Sequence, residues 1–141
     1  MTAPARSGAR ADRSPAAPAR PGPAATVVAA WLVPGAGHVL QGQSRKAAVF
    51  AVTLVAMFVL GLAFGGRLFA LQPGDPLVFL AALAEWAVLA PRGVAMLAGA
   101  GRGDVVAITY EYGNAFLIAS GLLNMLVALD ARDLASGRKA R

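Results

Sequence analysis

The fold of this chain is decided by WLVPGAGHVLQGQSRKAAVF, residues 31–50, where an apolar run breaks, turns basic and becomes apolar again. The break falls at Pro34-Gly35, and the basic pair Arg45-Lys46 precedes the second apolar run. Proline and glycine in a helix interior kink the helix or end it. The stretch therefore predicts a turn or kink, followed by a helix whose start the basic pair anchors among lipid headgroups.

The chain around this break is too apolar for an ordinary soluble domain. Of its 141 residues, 57% are hydrophobic and 14% are charged. Residues 47–64 carry no charge and, as a helix, would rise roughly 27 Å, which almost spans the hydrocarbon core. Further apolar segments cover residues 24–40, 77–100 and 114–129. The sequence predicts an all-α integral membrane protein, a helical bundle of about four transmembrane segments.

The first apolar segment allows two readings. Residues 24–40 reach spanning length only if a helix tolerates Pro34, Gly35 and Gly37. The segment is therefore either a kinked span or a short helix that ends in a re-entrant turn. His38, the only histidine, follows the break. It is either a proton-handling group at the membrane interface or a turn residue bound to carbonyls that the break leaves free.

The third apolar segment is chemically unusual. Asp75-Pro76 resembles a helix N-cap followed by proline at the first helical position, so a helix should begin there. The segment carries Glu85 near its middle and a Pro-Arg interruption at Arg92. An ionisable group at the centre of a span costs on the order of 2.5–3.5 kcal/mol and needs a partner or a proton. Arg92, two turns on, or His38 would serve as that partner, in a structural clamp or in a proton or ion pathway.

The last apolar segment follows VVAITYEYG, residues 105–113, which would form a short strand, an interfacial segment or the first turns of a helix. Tyr110 and Tyr112, on either side of Glu111, suit the headgroup zone, where amphipathic rings are enriched. Farther on, Asn124 stands four residues from a serine and four from an alanine. Small and polar residues at this spacing share one helix face, which predicts a packed helix interface.

The residues that are missing exclude several chemistries. The chain has no cysteine and one histidine, so a disulfide, a thiolate metal site, a cysteine nucleophile and a multi-histidine metal site within one chain are excluded. The motifs of phosphate-binding loops, zinc proteases and serine hydrolases do not occur. We therefore expect no cofactor, no metal and no enzymatic activity.

The distribution of positive charge indicates an orientation in the membrane. The 13 Lys and Arg residues against 7 Asp and Glu fall mainly in the tails and between apolar segments, which fits the positive-inside rule better than nucleic-acid binding. Residues 1–23, rich in Pro, Ala and Arg, predict a disordered tail, and residues 131–141 a basic one. With four spans, nine of the Lys and Arg residues near span ends lie on one side of the membrane and three on the other. With a re-entrant first segment, the numbers are seven and five. Four spans with both tails in the cytoplasm are favoured.

Two motifs resemble those of a known family. PGAGH in residues 34–38 and TYEYG with LLN in residues 109–124 are similar to a family of small, uncharacterised bacterial membrane proteins. The first motif also resembles, more distantly, the turn of the two-helix transmembrane domain family. The resemblance implies a polytopic protein of the bacterial inner membrane and transfers no catalytic residue.

These observations favour a non-enzymatic accessory or scaffold protein whose partners are the lipid bilayer and either itself or a larger membrane complex. The alternative is a minimal transporter or proton-coupled component that uses Glu85, Arg92 and His38. A membrane enzyme that acts on lipid-like substrates, with His38 as the base, has the least support.

Overall fold

A computed structural model describes residues 21–139; residues 1–20, which hold most of the expected N-terminal tail, and residues 140–141 lie outside the described residues. Between residues 21 and 139 the chain forms helices and no strand, apart from one isolated bridge between Arg67 and Arg102. The expected all-α architecture is confirmed. The helices are α1 (Pro23–Leu32), α2 (Ala36–Leu40), α3 (Ser44–Ala63), α4 (Pro76–Glu85), α5 (Leu89–Leu97) and α6 (Tyr110–Ala135).

Two of these helices, α3 with 20 residues and α6 with 26, are long and apolar enough to cross a membrane. The pair α4 and α5 would be a third, but it is bent by 99° at residues 86–88. Helix α1 is apolar but has only 10 residues. By length and composition the described residues therefore contain two or three spans, and the expected four are not confirmed. The count falls because the first and third apolar segments each break into two helices.

Helices α3 and α6 pack antiparallel and form the frame of the molecule. Where α3 ends and α6 begins, a Cβ added to Gly61 would lie 2.9 Å from the Gly113 carbonyl oxygen, so glycine permits the close approach. The Thr109 hydroxyl donates to the Phe64 carbonyl at the same end, at 3.0 Å. Leu117 of α6 is buried there in a hydrophobic cluster with residues of α3 and α5.

Helices α1 and α2 fold back on each other, and we call residues 23–40 the first hairpin. Gly35 has a φ of 82°, which other residues rarely adopt, and this reverses the chain after α1. Gly37 then packs against α1, where an added Cβ would lie 2.9 Å from that of Ala30. At the end of α2, the Gln41 amide donates to the Thr26 hydroxyl at 2.9 Å. The chain thus returns to the end of the molecule from which α1 starts.

Helices α4 and α5 form the second hairpin, residues 76–97. Asp75 caps α4 by accepting from the Leu77 and Val78 amides, as the sequence predicts. The break lies at residues 86–88 rather than at Pro91, which is the third residue of α5, where a helix needs no amide donor.

The second hairpin also begins and ends at one end of the molecule. The Leu68 amide, which precedes the hairpin, donates to the Gly101 carbonyl, which follows it, at 2.8 Å. The Arg67–Arg102 bridge adjoins this bond. Leu68 lies shortly after the end of α3, whereas the first hairpin lies shortly before its start. The two hairpins therefore start and end at opposite ends of the molecule.

Candidate functional site

The tips of the two hairpins meet at Asn124, in the middle of α6. The Asn124 amide nitrogen donates to the Ala30 carbonyl near the end of α1 at 3.0 Å and to the Ala87 carbonyl in the second break at 2.7 Å. The Trp31 indole N–H donates to the Trp86 carbonyl at 2.9 Å. Carbonyls at a helix end lack intrahelical donors, and each unpaired one is costly away from water. One buried side chain, Asn124, therefore binds a carbonyl at the break of each hairpin.

A buried ion pair holds the second hairpin. Arg92 Nη1 donates to Glu85 Oε2 at 2.7 Å, and the two residues are 4% and 0% exposed. Both also bind the main chain of Phe69: Glu85 Oε2 accepts from its amide at 2.8 Å, and Arg92 Nη2 donates to its carbonyl at 2.6 Å. The Arg92 guanidinium lies 5.1 Å from the centre of the Trp86 ring. The pair ties both arms of the hairpin to the segment that precedes it.

Several polar atoms in this region keep unused bonding capacity. Glu85 Oε1, Arg92 Nε and Asn124 Oδ1 are buried and have no hydrogen-bond partner among residues 21–139. A carboxylate oxygen and an amide oxygen accept, and a guanidinium N–H donates. The site thus retains two acceptors and one donor that its own folding does not use.

His38 belongs to a different cluster, at the end of the molecule where the first hairpin starts. It is fully buried, and its Nε2 lies 2.9 Å from Asp130 Oδ2 near the end of α6. Lys139 pairs with the other oxygen of Asp130, and the Phe50 ring lies 5.0 Å from the imidazole. His38 Nδ1 has no partner in the described part of the chain. His38 therefore pairs with neither Glu85 nor a carbonyl of the turn.

The other predicted residues lie apart from the Glu85 pair. Pro34, Gly35 and Gly37 form the turn of the first hairpin. Tyr110 is the first residue of α6, and Glu111 and Tyr112 in the same turn are exposed. Residues 105–109 form turns and residues 110–113 form the first turn of α6, so the segment is not a strand. Within residues 21–139 no group of three or more His, Cys, Asp or Glu residues is placed to hold a metal ion.

A family model matches residues 25–140, which include both hairpins, α3 and α6. The chain belongs to the DUF6677 family. DUF6677 is a family of unknown function, as the resemblance of the sequence motifs implies. Neither a curated protein nor a solved structure matches the chain.

The structure of this DUF6677 chain also brings together polar residues that the sequence did not single out, in three separate places. Asp130 follows the last apolar run, and its partner His38 is 92 residues away. Gln41 and Thr26 are 15 residues apart and close the first hairpin. Asn114 accepts from the Arg67 amide at 2.8 Å and fixes the chain after α3. A polar residue inside or beside an apolar run was the available signal, but it does not identify the partner.

Proposed function

We propose that the protein is a multi-pass protein of the bacterial cytoplasmic membrane in which only α3 and α6 cross the bilayer. The two hairpins enter from opposite sides and meet near the middle without crossing. The support comes from the chain ends of each hairpin: Gln41 lies beside Thr26, and Leu68 lies beside Gly101. A crossing segment would separate these pairs by the thickness of the bilayer. Non-helical backbone at this depth is tolerated because protein groups satisfy it.

The positive-inside rule supports this arrangement and orients it. With two crossings and two re-entrant hairpins, ten Lys and Arg residues lie on the side of both chain ends, and two, Arg67 and Arg102, lie on the other. Arg92 is buried and is not counted. The side with ten cations is the cytoplasmic one in this proposal. The ten are Arg6, Arg10, Arg13, Arg20, Arg45, Lys46, Arg132, Arg138, Lys139 and Arg141.

In this membrane the protein acts as a non-enzymatic accessory or scaffold subunit. The observation that carries this proposal is that the buried polar side chains bind the protein's own main chain. Asn124 binds carbonyls of both hairpins, and the Glu85–Arg92 pair binds both main-chain groups of Phe69. Side chains that bind the main chain in this way hold the two hairpins in one conformation. On their outer faces, α3 and α6 expose apolar side chains such as Val52 and Leu126 to lipid or to another helix.

The scaffold proposal is tested by purification in a mild detergent and by crosslinking in intact membranes. Because the chain has no cysteine, single cysteines at Val52 and Leu126 report the outer faces of α3 and α6, and the buried position Leu54 is the matched control. We expect a second copy or a partner to co-purify in a fixed ratio and to crosslink from an outer position but not from Leu54. A monomer that crosslinks to no protein from either outer face would contradict the proposal.

A second candidate function, a proton-coupled or transport component built on Glu85, Arg92 and His38, is favoured by one observation. Glu85 Oε1 is buried without a partner among the described residues, so it retains capacity to bind a proton. Proton flux into vesicles that contain the protein decides between the two functions. Glu85→Gln is the test variant, and Glu111→Gln, at an exposed carboxylate, is the control. The scaffold predicts no flux above that of empty vesicles. Flux in the wild type that Glu85→Gln abolishes and Glu111→Gln retains would replace the scaffold by the second candidate.

A further inference from the structure

An apolar groove on the outer surface adjoins a cavity that is lined by two arginines. The groove, about 470 Å³, lies between α3 and α5 and extends from Pro34 at the tip of the first hairpin to Ala100 after α5. The cavity, about 390 Å³, shares Ala100 with the groove and is lined by Arg92 and Arg102. The two spaces adjoin at Ala100, the groove as an apolar part that begins at the hairpin tips and the cavity as a basic part at the end where α3 finishes.

The apolar part is open to the surroundings of the molecule. Val55 and Val59 of α3 and Val94 of α5 form its rims and are 40%, 55% and 66% exposed. Its floor includes the buried residues Phe58 and Ala95. A hydrocarbon chain that lies in this groove would contact apolar side chains along its whole length, which is the chemistry of a lipid acyl chain.

The basic part has the donors for an anion. Arg92 is nine-tenths buried or more, lines the cavity, and keeps its Nε–H without a partner in the described part of the chain. Arg102 is exposed and makes no salt bridge among residues 21–139. Because the Arg92 charge is balanced by Glu85, Arg102 supplies the net positive charge of the cavity. Guanidinium groups bind phosphate oxygens through strong, charge-assisted hydrogen bonds.

We infer that this site binds one anionic phospholipid, with its phosphate in the arginine cavity and an acyl chain in the groove. The inference rests on the proposed function, because in the proposed orientation the cavity faces the outer leaflet of the cytoplasmic membrane. Charge complementarity selects the anionic headgroup, and the position of the apolar groove beside the cavity, with Ala100 lining both, selects a molecule with an acyl chain over a free phosphate.

Native mass spectrometry of the detergent-purified full chain tests the inference, with phosphatidylglycerol and phosphatidylcholine as the two probes. We expect one phosphatidylglycerol to bind roughly tenfold more tightly than phosphatidylcholine, a ratio that corresponds to about 1.4 kcal/mol. Arg102→Gln should remove this preference. Arg67→Gln, which removes the same charge at the same end but does not line the cavity, should retain it.

The groove is tested by a second pair of variants. Ala98 lines the groove, and Ala98→Phe should fill it and weaken phosphatidylglycerol binding at least as much as Arg102→Gln does. Leu97, 91% exposed and outside the groove, provides the control Leu97→Phe, which should bind like the wild type.

Three results would overturn the inference: equal binding of the two lipids, no effect of Arg102→Gln, or no effect of Ala98→Phe. A second protein chain that crosslinks from a cysteine at Ala98 would also overturn it, because that chain would then occupy the groove. Membrane integration is measured on the membranes from which the protein is purified, by testing whether detergent is needed to extract it. A wild-type protein that is integrated in the membrane but binds both lipids equally contradicts the lipid site alone, whereas a wild-type protein that is not integrated contradicts the proposed function.

Discussion

Asn124 and the Glu85–Arg92 pair differ in how far the sequence predicts their partners. The spacing of seven residues on one helix predicts that Glu85 and Arg92 face each other, although the helix breaks between them. The partners of Asn124 are carbonyls 94 and 37 residues away, and those of His38 are equally remote. Sequence spacing reports neighbours along one helix, whereas these contacts depend on how separate helices pack, so the sequence identifies the polar residue but not its partner.

At this scale, Asn124→Leu removes one side chain and leaves two buried carbonyls without a donor. An unsatisfied buried group costs about 1–3 kcal/mol, so we expect the free energy of unfolding in detergent to fall by about that amount or more. Leu126→Ala on the exposed face of the same helix is the control and should change it by about 0.5 kcal/mol or less. Equal stability of Asn124→Leu and the wild type would show that water or other groups satisfy the carbonyls.

The ion pair is tested by a double-mutant cycle. Arg92→Met leaves the Glu85 carboxylate buried without its charge partner, which costs about 3–5 kcal/mol for buried pairs in other proteins. Glu85→Met combined with Arg92→Met removes both charges, so the double variant should be more stable than Arg92→Met alone. The unfolding free energies of the four proteins give the coupling. Additive losses in the double variant would mean that the two residues act independently.

The two helix breaks also differ in their sequence signals. The first coincides with Pro34-Gly35, which ends a helix by its own chemistry. The second, at residues 86–88, contains Trp, Ala and Val and no residue that ends helices. Its free carbonyls are bound by Trp31 and Asn124, so tertiary donors stabilise this break. The sequence consequently predicts the first break at its position and places the second one turn too late, at Pro91.

Two glycines provide a matched test of how α4 packs on α6. A Cβ on Gly121 of α6 would overlap the Ala84 carbonyl oxygen near the end of α4, whereas a Cβ on Gly93 of α5 has nothing within 4 Å. Gly121→Ala should therefore lower the unfolding free energy by about 1–3 kcal/mol, the usual cost of overpacking. Gly93→Ala should be neutral or stabilising by up to about 1 kcal/mol, because alanine favours a helix. A similar melting temperature for both variants would contradict this packing of α4 on α6.

In the topology proposed for the whole molecule, each hairpin removes one crossing from the expected four, and two removals leave both chain ends on the same side. The four spans expected from the sequence and the two proposed crossings therefore place the chain ends in the same way. With the first segment alone re-entrant, the counted cations divide seven against five, so the sequence favours four spans. With both segments re-entrant the division is ten against two. The charge pattern becomes most asymmetric only when the bend of the third segment, which requires the structure, is included.

Reporters at the tails do not distinguish these topologies, but two internal positions do. In the proposed arrangement Gln43 faces the cytoplasm and Gly74 faces the opposite side, and four spans would reverse both. Since the chain has no cysteine, Gln43→Cys and Gly74→Cys are labelled individually in intact cells with a membrane-impermeant maleimide. We expect labelling of Gly74→Cys only, and labelling of both after the cells are opened. Labelling of Gln43→Cys in intact cells would support four spans.

The junction of both hairpins on Asn124 also sets an order for biogenesis. A ribosome makes the chain from its N-terminus, so both hairpins are complete before residue 124 is made. Until then the carbonyls of Ala30 and Ala87 lack the amide that binds them in the finished protein. The junction of the two hairpins can therefore form only after this part of α6 has been made. A chain that is truncated before α6 lacks the Asn124 amide that binds the carbonyls of both hairpins. We therefore expect such a chain to be degraded.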